Sequence, residues 1–593
     1  MAFDYRSCHS LPAMFFAQAA RLGERPFLWA KRDGAWRATS WGEAAATVTA
    51  LAGGLRALGL EPGQRVALVS ENRPEWALAD LAIMAAGGVS VPAYTTNTTA
   101  DHLHILNNSG ARFAIASTRA LAEKVMAAAW QADQPPVVIA MERPTLSQSS
   151  GAPLLSWQQV LELGETAPPP HDAGRTDTAC LIYTSGTGGA PKGVMLSHGA
   201  ILSNCMGAAT LLAGLGLGDE VFLSFLPLSH AYEHTAGLYF PISLGAEIYY
   251  AEGIDRLAAN MLEVRPTIVT AVPRLYETMR ARILKGVHLA GGMRRTLFEA
   301  ALALGVKRIE GRLGVLDALA DRALERLVRD KIRTRFGGRL KAFVSGGAPL
   351  GYELGQFFTA LGVRILQGYG QTESAPVVSC NPPGRVRLKT VGPPMEDVEV
   401  RIAADGEILV RGELVMQGYW NDPAATAAAI RDGWLHTGDV GEMDADGYIR
   451  ITDRKKDIIV NSGGDNVSPQ RVEGFLTLEP EIAQAMVHGD RRPHLVALLV
   501  PTEDWAAAWA GERGLDPSLS SLITTTEFRR AVGAAVERVN HRLSAIEKVR
   551  RFTLSAEPFS VANGMMTPTL KIRRHRIREQ FGPALEGLYE DKR

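Results

Sequence analysis

Cysteine is scarce in this chain. Cys8, Cys180, Cys205 and Cys380 are the only four in 593 residues, and they lie far apart without a Cys-x-x-Cys spacing. Neither a zinc cluster nor a disulfide framework can be built from them, and the expected compartment is the reducing cytosol. Net charge is missing as well. The 63 basic residues cancel 63 acidic ones, so no global field recruits nucleic acid or anionic lipid. Long apolar runs are absent too. The longest nearly uncharged one, Leu81 to Tyr94, is too short to cross a bilayer, and its Gly87-Gly88 and Pro92 read as a buried strand-and-turn region. The first residues carry no basic stretch ahead of a secretory apolar core, so export is not expected.

At 46% hydrophobic and 21% charged, the composition is that of an average soluble protein, and 593 residues exceed one ordinary core. Short β-type runs such as Leu181-Ile182-Tyr183, Val221 to Leu226, Thr267 to Val272 and Val363 to Leu366 are separated by stretches long enough for crossover helices. The reading is an α/β fold: a large N-terminal domain (1–455) with mainly parallel sheets, followed by a small α+β domain (456–593). Between about 280 and 338 the pattern turns charged and helical, with Leu324, Leu327, Val328 and Ile332 on one helical face, as in an insertion between strands. From about 390 to 455, Asp405-Gly406, Asp432-Gly433 and Asp446-Gly447 are hairpin signals in a β-rich subdomain.

The densest chemical signal is Tyr183-Thr184-Ser185-Gly186-Thr187-Gly188-Gly189-Ala190-Pro191-Lys192-Gly193, placed after a predicted strand. Small residues let backbone amides approach phosphate oxygens, hydroxyls add donors and Lys192 adds charge, which together make a polyphosphate cradle. A P-loop NTPase needs Gly-Lys-Ser/Thr, whereas Lys192 stands between Pro191 and Gly193. A Gly-x-Ser-x-Gly elbow is also lacking, so no enzyme-bound ester is expected. Further along, Gly368-Tyr369-Gly370-Gln371-Thr372-Glu373-Ser374 places an aromatic face, a hydroxyl and a carboxylate after a strand, suited to stacking a base and holding a hard cation.

These blocks, in this order, resemble the acyl-adenylate-forming superfamily, which includes acyl-CoA synthetases, luciferases and the adenylation domains of peptide synthetases. The family's loop usually has a second threonine where this chain has Gly188. The resemblance implies that Thr184, Ser185, Gly186, Thr187 and Lys192 hold the ATP phosphates and that Thr184 and Glu373 coordinate Mg²⁺. It implies further that Tyr369 stacks on adenine within Gly368 to Thr372, beside the small-residue wall of Gly346, Gly347 and Ala348. Asp439, in His436-Thr437-Gly438-Asp439, matches the residue that binds the ribose diol, with Arg454 as its charged partner. Lys456 occupies the hinge position, Gly463 and Gly464 match the loop lining the thiol path, and Lys571 in Thr567-Pro568-Thr569-Leu570-Lys571 matches the adenylation lysine.

Leu226-Pro227-Leu228-Ser229-His230-Ala231-Tyr232-Glu233-His234 resembles the block that reaches the carboxylate pocket in long-chain acyl-CoA synthetases, with His230 as a carboxylate-positioning residue and His234 a weaker candidate. That likeness and the helical insertion imply a long-chain fatty acid:CoA ligase using ATP, Mg²⁺ and coenzyme A. The runner-up is a fatty acyl-AMP ligase that loads a separate carrier protein; a noncatalytic acyl-binding protein is the reading from another class. An apolar substrate implies peripheral contact with the cytoplasmic face of a membrane, without a dedicated anchor.

Overall fold

The computed structural model describes residues 3–142, 153–165, 171–184, 190–455, 457–463, 465–567 and 572–590. Two eight-stranded sheets carry the large domain. In the first, Arg65–Val69, Val89–Ala93, Phe113–Ala116, Val137–Ala140 and Leu154–Ser156 run parallel. Its other end is antiparallel, where Thr178–Thr184, Lys192–Ser197 and Gly418–Tyr419 follow one another. The second sheet has a parallel centre of Glu247–Tyr250, Val221–Ser224, Ile268–Ala271, Ala342–Ser345 and Ile365–Gly370, with Val377–Cys380 antiparallel at one edge. Burial on both faces explains why these strands read as short continuous runs of Val, Ile and Leu.

The helix Pro74–Ala85 is apolar on nearly every side, with only Glu75 not buried. Such a helix needs protein all round it. Its side chains join one core with Ile182 and Leu196 of the first sheet and Phe222 and Ile248 of the second. This corrects the reading of Leu81 to Tyr94. Leu81–Ala85 is the end of this helix, and only Val89–Ala93 is strand. Uniform burial had removed the 3.6-residue periodicity that distinguishes the two. Asp80, on the same helix, accepts from Ser90 Oγ at 2.5 Å and from the Tyr239 phenol at 2.6 Å, and shares a 2.9 Å hydrogen bond with His234 Nε2. His234 is therefore a fully buried core residue. The stretch His198–Leu215 is long and apolar enough to pass as a membrane span, yet more than half of it is buried inside the protein.

The helical insertion starts at the helix Pro273–Ala290, earlier than the change in charge suggested, because Pro273 occupies the first helical position. Gly292–Ile309 returns against the helix Tyr352–Ala360, and a Cβ at Gly305 would come within 2.3 Å of the Ala360 carbonyl, so glycine sets that close packing. The β-rich region is an antiparallel sheet of Glu399–Ile402, Glu407–Arg411, Trp434–Met443 and Ile449–Arg454 with the short strand Ile430–Arg431. Gly406, Gly433 and Gly447 all adopt positive φ, as their hairpin turns require. Beyond it, Ile482–His488, Leu495–Pro501 and Val549–Leu554 form a separate three-stranded sheet with its own core against the amphipathic helix Thr526–Asn540.

Candidate active site

The two strands that flank the phosphate loop set Thr184 directly opposite Lys192. Ser185, Gly186 and Thr187 lie outside the described residues. Lys192 is half-exposed, with its Nζ 3.1 Å from Asp422 Oδ2 and 5.2 Å from the centroid of the Tyr419 ring. Tyr419 belongs to the short strand beside Lys192–Ser197, and its phenol donates a 2.8 Å hydrogen bond to Glu373 Oε1. One aromatic ring thus joins the phosphate lysine to the carboxylate expected to meet a metal. Burial, and then the Glu373 charge, push the Tyr419 phenol far above its ordinary range, which keeps it a donor at physiological pH. The Ala425 backbone N–H and the Lys192 ammonium hold Asp422 below the usual carboxylate range. Neither Tyr419 nor Asp422 was found from the sequence. Gly418-Tyr419-Trp420-Asn421-Asp422 reads as an ordinary strand end and turn, and only sheet register brings it here.

Glu373 sits in the short 3₁₀ turn Thr372–Ser374, which follows the strand Ile365–Gly370, and its carbonyl accepts from Met416 N at 2.9 Å. Gln371 anchors that turn, its N–H donating to the Pro376 carbonyl at 2.9 Å, while Thr372 is buried. Gly370 lets the returning strand approach, since a Cβ there would lie 1.7 Å from the Pro376 carbonyl oxygen.

The residues expected at the nucleoside converge on a second group. Tyr369, nearly buried, donates from its phenol to Asp439 Oδ2 at 2.7 Å, and Arg454 Nε donates to Asp439 Oδ1 at 3.0 Å. Asp439 and Arg454 face each other across antiparallel strands, so the sheet itself fixes the pair. With one hydrogen bond at each oxygen, the Asp439 carboxylate keeps acceptor capacity for a diol. Gly347, Ala348, Gly368, Tyr369, Gly370, Asp439 and Arg454 line one cavity of about 2210 Å³. Gly346 lies against the Tyr232 ring, where a Cβ would come within 3.0 Å of the phenol carbon.

The same cavity continues past His230 and Tyr232 into the helical insertion, where Met279, Ile283, Val287 and Phe336, with Met261 of the preceding helix Leu257–Val264, give it an apolar wall. His230 caps the short helix Ala231–Glu233, its Nδ1 accepting from Tyr232 N at 3.2 Å. Tyr232 donates from its phenol to the Val344 carbonyl at 2.8 Å. Glu233 is fully buried beneath them and accepts from Ser224 Oγ at 2.7 Å and Thr270 Oγ1 at 2.6 Å, with no ion-pair partner among the described residues. Burial pushes its carboxyl up to about 7 despite those two donors.

In the C-terminal part, Lys456, Gly464 and Lys571 lie outside the described residues. Met566, Thr567, Ile572, Arg573 and Arg574, on both sides of Lys571 in sequence, line the same cavity as Tyr369 and Asp439. Gly463 does not. It sits in the hairpin between Ile459–Val460 and Asn466–Val467, with its N–H and that of Asp465 both held at 2.9 Å by Asn461 Oδ1. The structure therefore lines one cavity with Tyr369, Asp439 and Arg454, with His230 and with the described residues on either side of Lys571, and Gly463 is not among that lining.

Two family models match: an AMP-binding enzyme model over residues 15–420 and an AMP-binding enzyme C-terminal domain model over residues 456–593. A long-chain-fatty-acid–CoA ligase, FadD15, of Mycobacterium bovis is 35% identical over 572 residues, covering 94% of this chain and 93% of that protein. Long-chain-fatty-acid–CoA ligase 1 of Homo sapiens is 31% identical, covering 89% of this chain and 78% of that protein. Among solved structures, an anthranilate CoA ligase, AuaEII, in complex with anthranoyl-AMP superposes with a TM-score of 0.73 at 21% identity, over 97% of this chain and 98% of that one. The adenylation and carrier didomain of a carboxylic acid reductase from Segniliparus rugosus, with AMP, reaches 0.76 at 22% identity, over 98% and 82%. With a hydrogen-bonded tyrosine–aspartate–arginine cluster lining its cavity, and both family models matched in order along its length, the chain belongs to the AMP-binding enzymes.

Proposed function

We propose that this protein is a long-chain fatty acid:CoA ligase working in two half-reactions. The observation that carries the reading is the single cavity running from Tyr369 and Asp439, past His230, to the apolar wall of the insertion. It pairs a polar end, suited to a nucleoside, with an apolar end suited to an acyl chain. The full-length likeness to proteins named as long-chain fatty acid CoA ligases supports the same substrate class.

A carboxylate is a poor acyl donor because its charge repels nucleophiles and its oxygen leaves badly. Attack of the carboxylate oxygen on the α-phosphorus of ATP forms an acyl–AMP anhydride and breaks the bond to the β-phosphate bridging oxygen, releasing pyrophosphate. In this reading Thr184 to Thr187 and Lys192 hold the phosphates. Tyr369, Asp439 and Arg454 fix the nucleoside beside Gly346, Gly347 and Ala348, and His230 orients the carboxylate. Lys571 meets the charge that builds up at the α-phosphate. CoA thiolate then attacks the acyl carbonyl and AMP leaves. For that step the small domain turns about Lys456 and presents Gly463 and Gly464 to the thiol path.

Glu373 and Thr184 are the hard oxygen donors that Mg²⁺ takes, and phosphate and water complete such a shell. Among the described residues no group of three His, Cys, Asp or Glu forms a closed metal cage, which fits a cation held mainly by nucleotide. Bound there, it would neutralise phosphate charge. The four cysteines are unpaired and buried, which goes with a reducing cytosolic location.

The test is exchange of labelled pyrophosphate into ATP with palmitate, acetate or an aryl acid as cosubstrate. Exchange driven by palmitate supports the reading. Exchange with none of them would return the chain to a noncatalytic acyl-binding role, and exchange without later thioester formation would point to a carrier protein as acceptor.

A further inference from the structure

The segment from Phe225 to His230 joins the strand Val221–Ser224 to the short helix Ala231–Glu233 and belongs to no helix or strand itself. Phe225, Leu226, Pro227 and His230 nevertheless line the cavity. A turn bond from His230 N to the Pro227 carbonyl, at 2.9 Å, closes the segment locally. A loop of this kind holds one conformation only if partners from elsewhere offset the entropy of ordering it.

Asn72 supplies them from far upstream, between the strand Arg65–Val69 of the first sheet and the helix Pro74–Ala85. Its amide Nδ2 donates to the Leu226 carbonyl at 2.6 Å and to Ser224 Oγ at 3.1 Å, while its Oδ1 accepts from Leu228 N at 3.0 Å. One side chain thus satisfies a carbonyl and an N–H of the same loop, which a carboxylate cannot do. Because Ser224 Oγ accepts from Asn72, its own proton goes to Glu233 at 2.7 Å, and Thr270 Oγ1 donates to the other Glu233 oxygen at 2.6 Å. The loop is therefore held at both ends, by Asn72 at its start and by Glu233 just past His230. Gly237 makes room for the Glu233 carboxyl, since a Cβ there would lie 2.4 Å from it.

We infer that Asn72 is a positioning residue for adenylation, holding the loop from Leu226 to His230 against the cavity so that His230 meets the acyl carboxylate in one fixed geometry. The inference rests on the reading in which His230 orients that carboxylate. Asn72 is not among the residues that line the cavity, so it acts through the loop rather than on acid or nucleotide. An asparagine serving only the fold could brace any neighbouring segment. The three hydrogen bonds of this side chain go to Ser224, Leu226 and Leu228, the strand end and loop that lead to His230.

The experiment is a double-mutant cycle on the full-length protein. Asn72→Ala, His230→Ala and the two together are each measured for palmitate-dependent exchange of pyrophosphate into ATP. Misplacing a reacting group by about 1 Å costs on the order of a hundredfold, so Asn72→Ala should lower kcat on the order of ten- to a hundredfold. The KM for ATP should stay within roughly twofold, because the nucleotide contacts are untouched. On the His230→Ala background the Asn72 substitution should cost no more than roughly a further twofold, the non-additivity of residues that act as one unit. Asn72→Asp, which keeps the acceptor for Leu228 N and loses both donors, should behave as Asn72→Ala does, and thermal denaturation shows which variants are folded. Unchanged exchange in the folded variants, an ATP KM that rises as kcat falls, or full additivity with His230→Ala would overturn the inference. So would failure of both Asn72 variants to fold, which would leave this residue a role in stability alone. No palmitate-driven exchange in the unmodified protein overturns the ligase reading and the inference with it, whereas exchange lost in His230→Ala but kept in Asn72→Ala overturns the inference alone.

Discussion

The Tyr369 phenol donates a 2.7 Å hydrogen bond to Asp439 across seventy residues of sequence, tying the strand that ends the second parallel sheet to the antiparallel sheet beyond it. This bond fixes the Tyr369 ring and the Asp439 carboxylate relative to each other, so that, in the proposed reading, the end of the cavity that takes the nucleoside is preorganised. Arg454 completes the arrangement from the opposite side of the carboxylate.

Substitution at this cluster should separate two roles. Tyr369→Phe keeps the ring and loses one hydrogen bond, costing about 1 kcal/mol, or roughly fivefold in AMP affinity. Asp439→Asn removes the charge facing Arg454 and should cost about 2–4 kcal/mol of nucleotide binding. Calorimetric titration with AMP tests both. Equal losses for the two variants would show that the phenol, rather than the carboxylate, carries the binding.

Lys571→Ala should depress fatty-acid-dependent pyrophosphate exchange on the order of 10²–10³-fold, the scale for removing one group that stabilises transition-state charge. Synthetic palmitoyl-AMP with CoA should still yield palmitoyl-CoA at near the unmodified rate. If both half-reactions collapse together, the lysine does not act in adenylation alone.

Gly286 lines the apolar part of the cavity from within a helix, and a Cβ there would meet nothing within 4 Å. Gly286→Trp should therefore fill cavity space without a clash in the helix. The ratio of kcat/KM for palmitate over octanoate should fall at least roughly tenfold, since each lost methylene contact is worth about 1 kcal/mol. The helix itself should be slightly stabilised by losing a glycine. An unchanged chain-length profile would place the acyl chain elsewhere.

Glu233 gives the protein a pH-dependent stability. Its folded carboxyl, pushed up to about 7 from an ordinary 4.5, holds a proton that the unfolded chain releases earlier. Folding stability should therefore be fully expressed below pH 4.5 for this group and decline as pH rises through about 7, by up to about 3 kcal/mol. Glu233→Gln should abolish that decline while keeping both hydroxyl contacts. Denaturant titration of both proteins between pH 5 and 8 checks this, and parallel curves would show that Glu233 is not the source.

Contiguous motifs made half of the site legible in the sequence. Gly368 to Ser374, His436 to Asp439 and the strand-flanked loop ending at Lys192 each carry their chemistry within a few residues, and strand alternation announced the α/β architecture. Contacts that depend on sheet register were invisible. The approach of Lys192 to Asp422, and of Tyr419 to Glu373, arises only when the strand Gly418–Tyr419 pairs beside Lys192–Ser197. His234 illustrates the opposite failure. It stands in a chemically suggestive block, yet a helix far upstream supplies Asp80 and makes it a core residue.

The central claim is tested most directly by incubating the purified protein with palmitate, ATP, Mg²⁺ and CoA and quantifying palmitoyl-CoA, AMP and pyrophosphate together. The account predicts equal amounts of all three, with palmitoyl-CoA absent when CoA is withheld. AMP accumulating without palmitoyl-CoA, or no AMP from any long-chain acid, would contradict it.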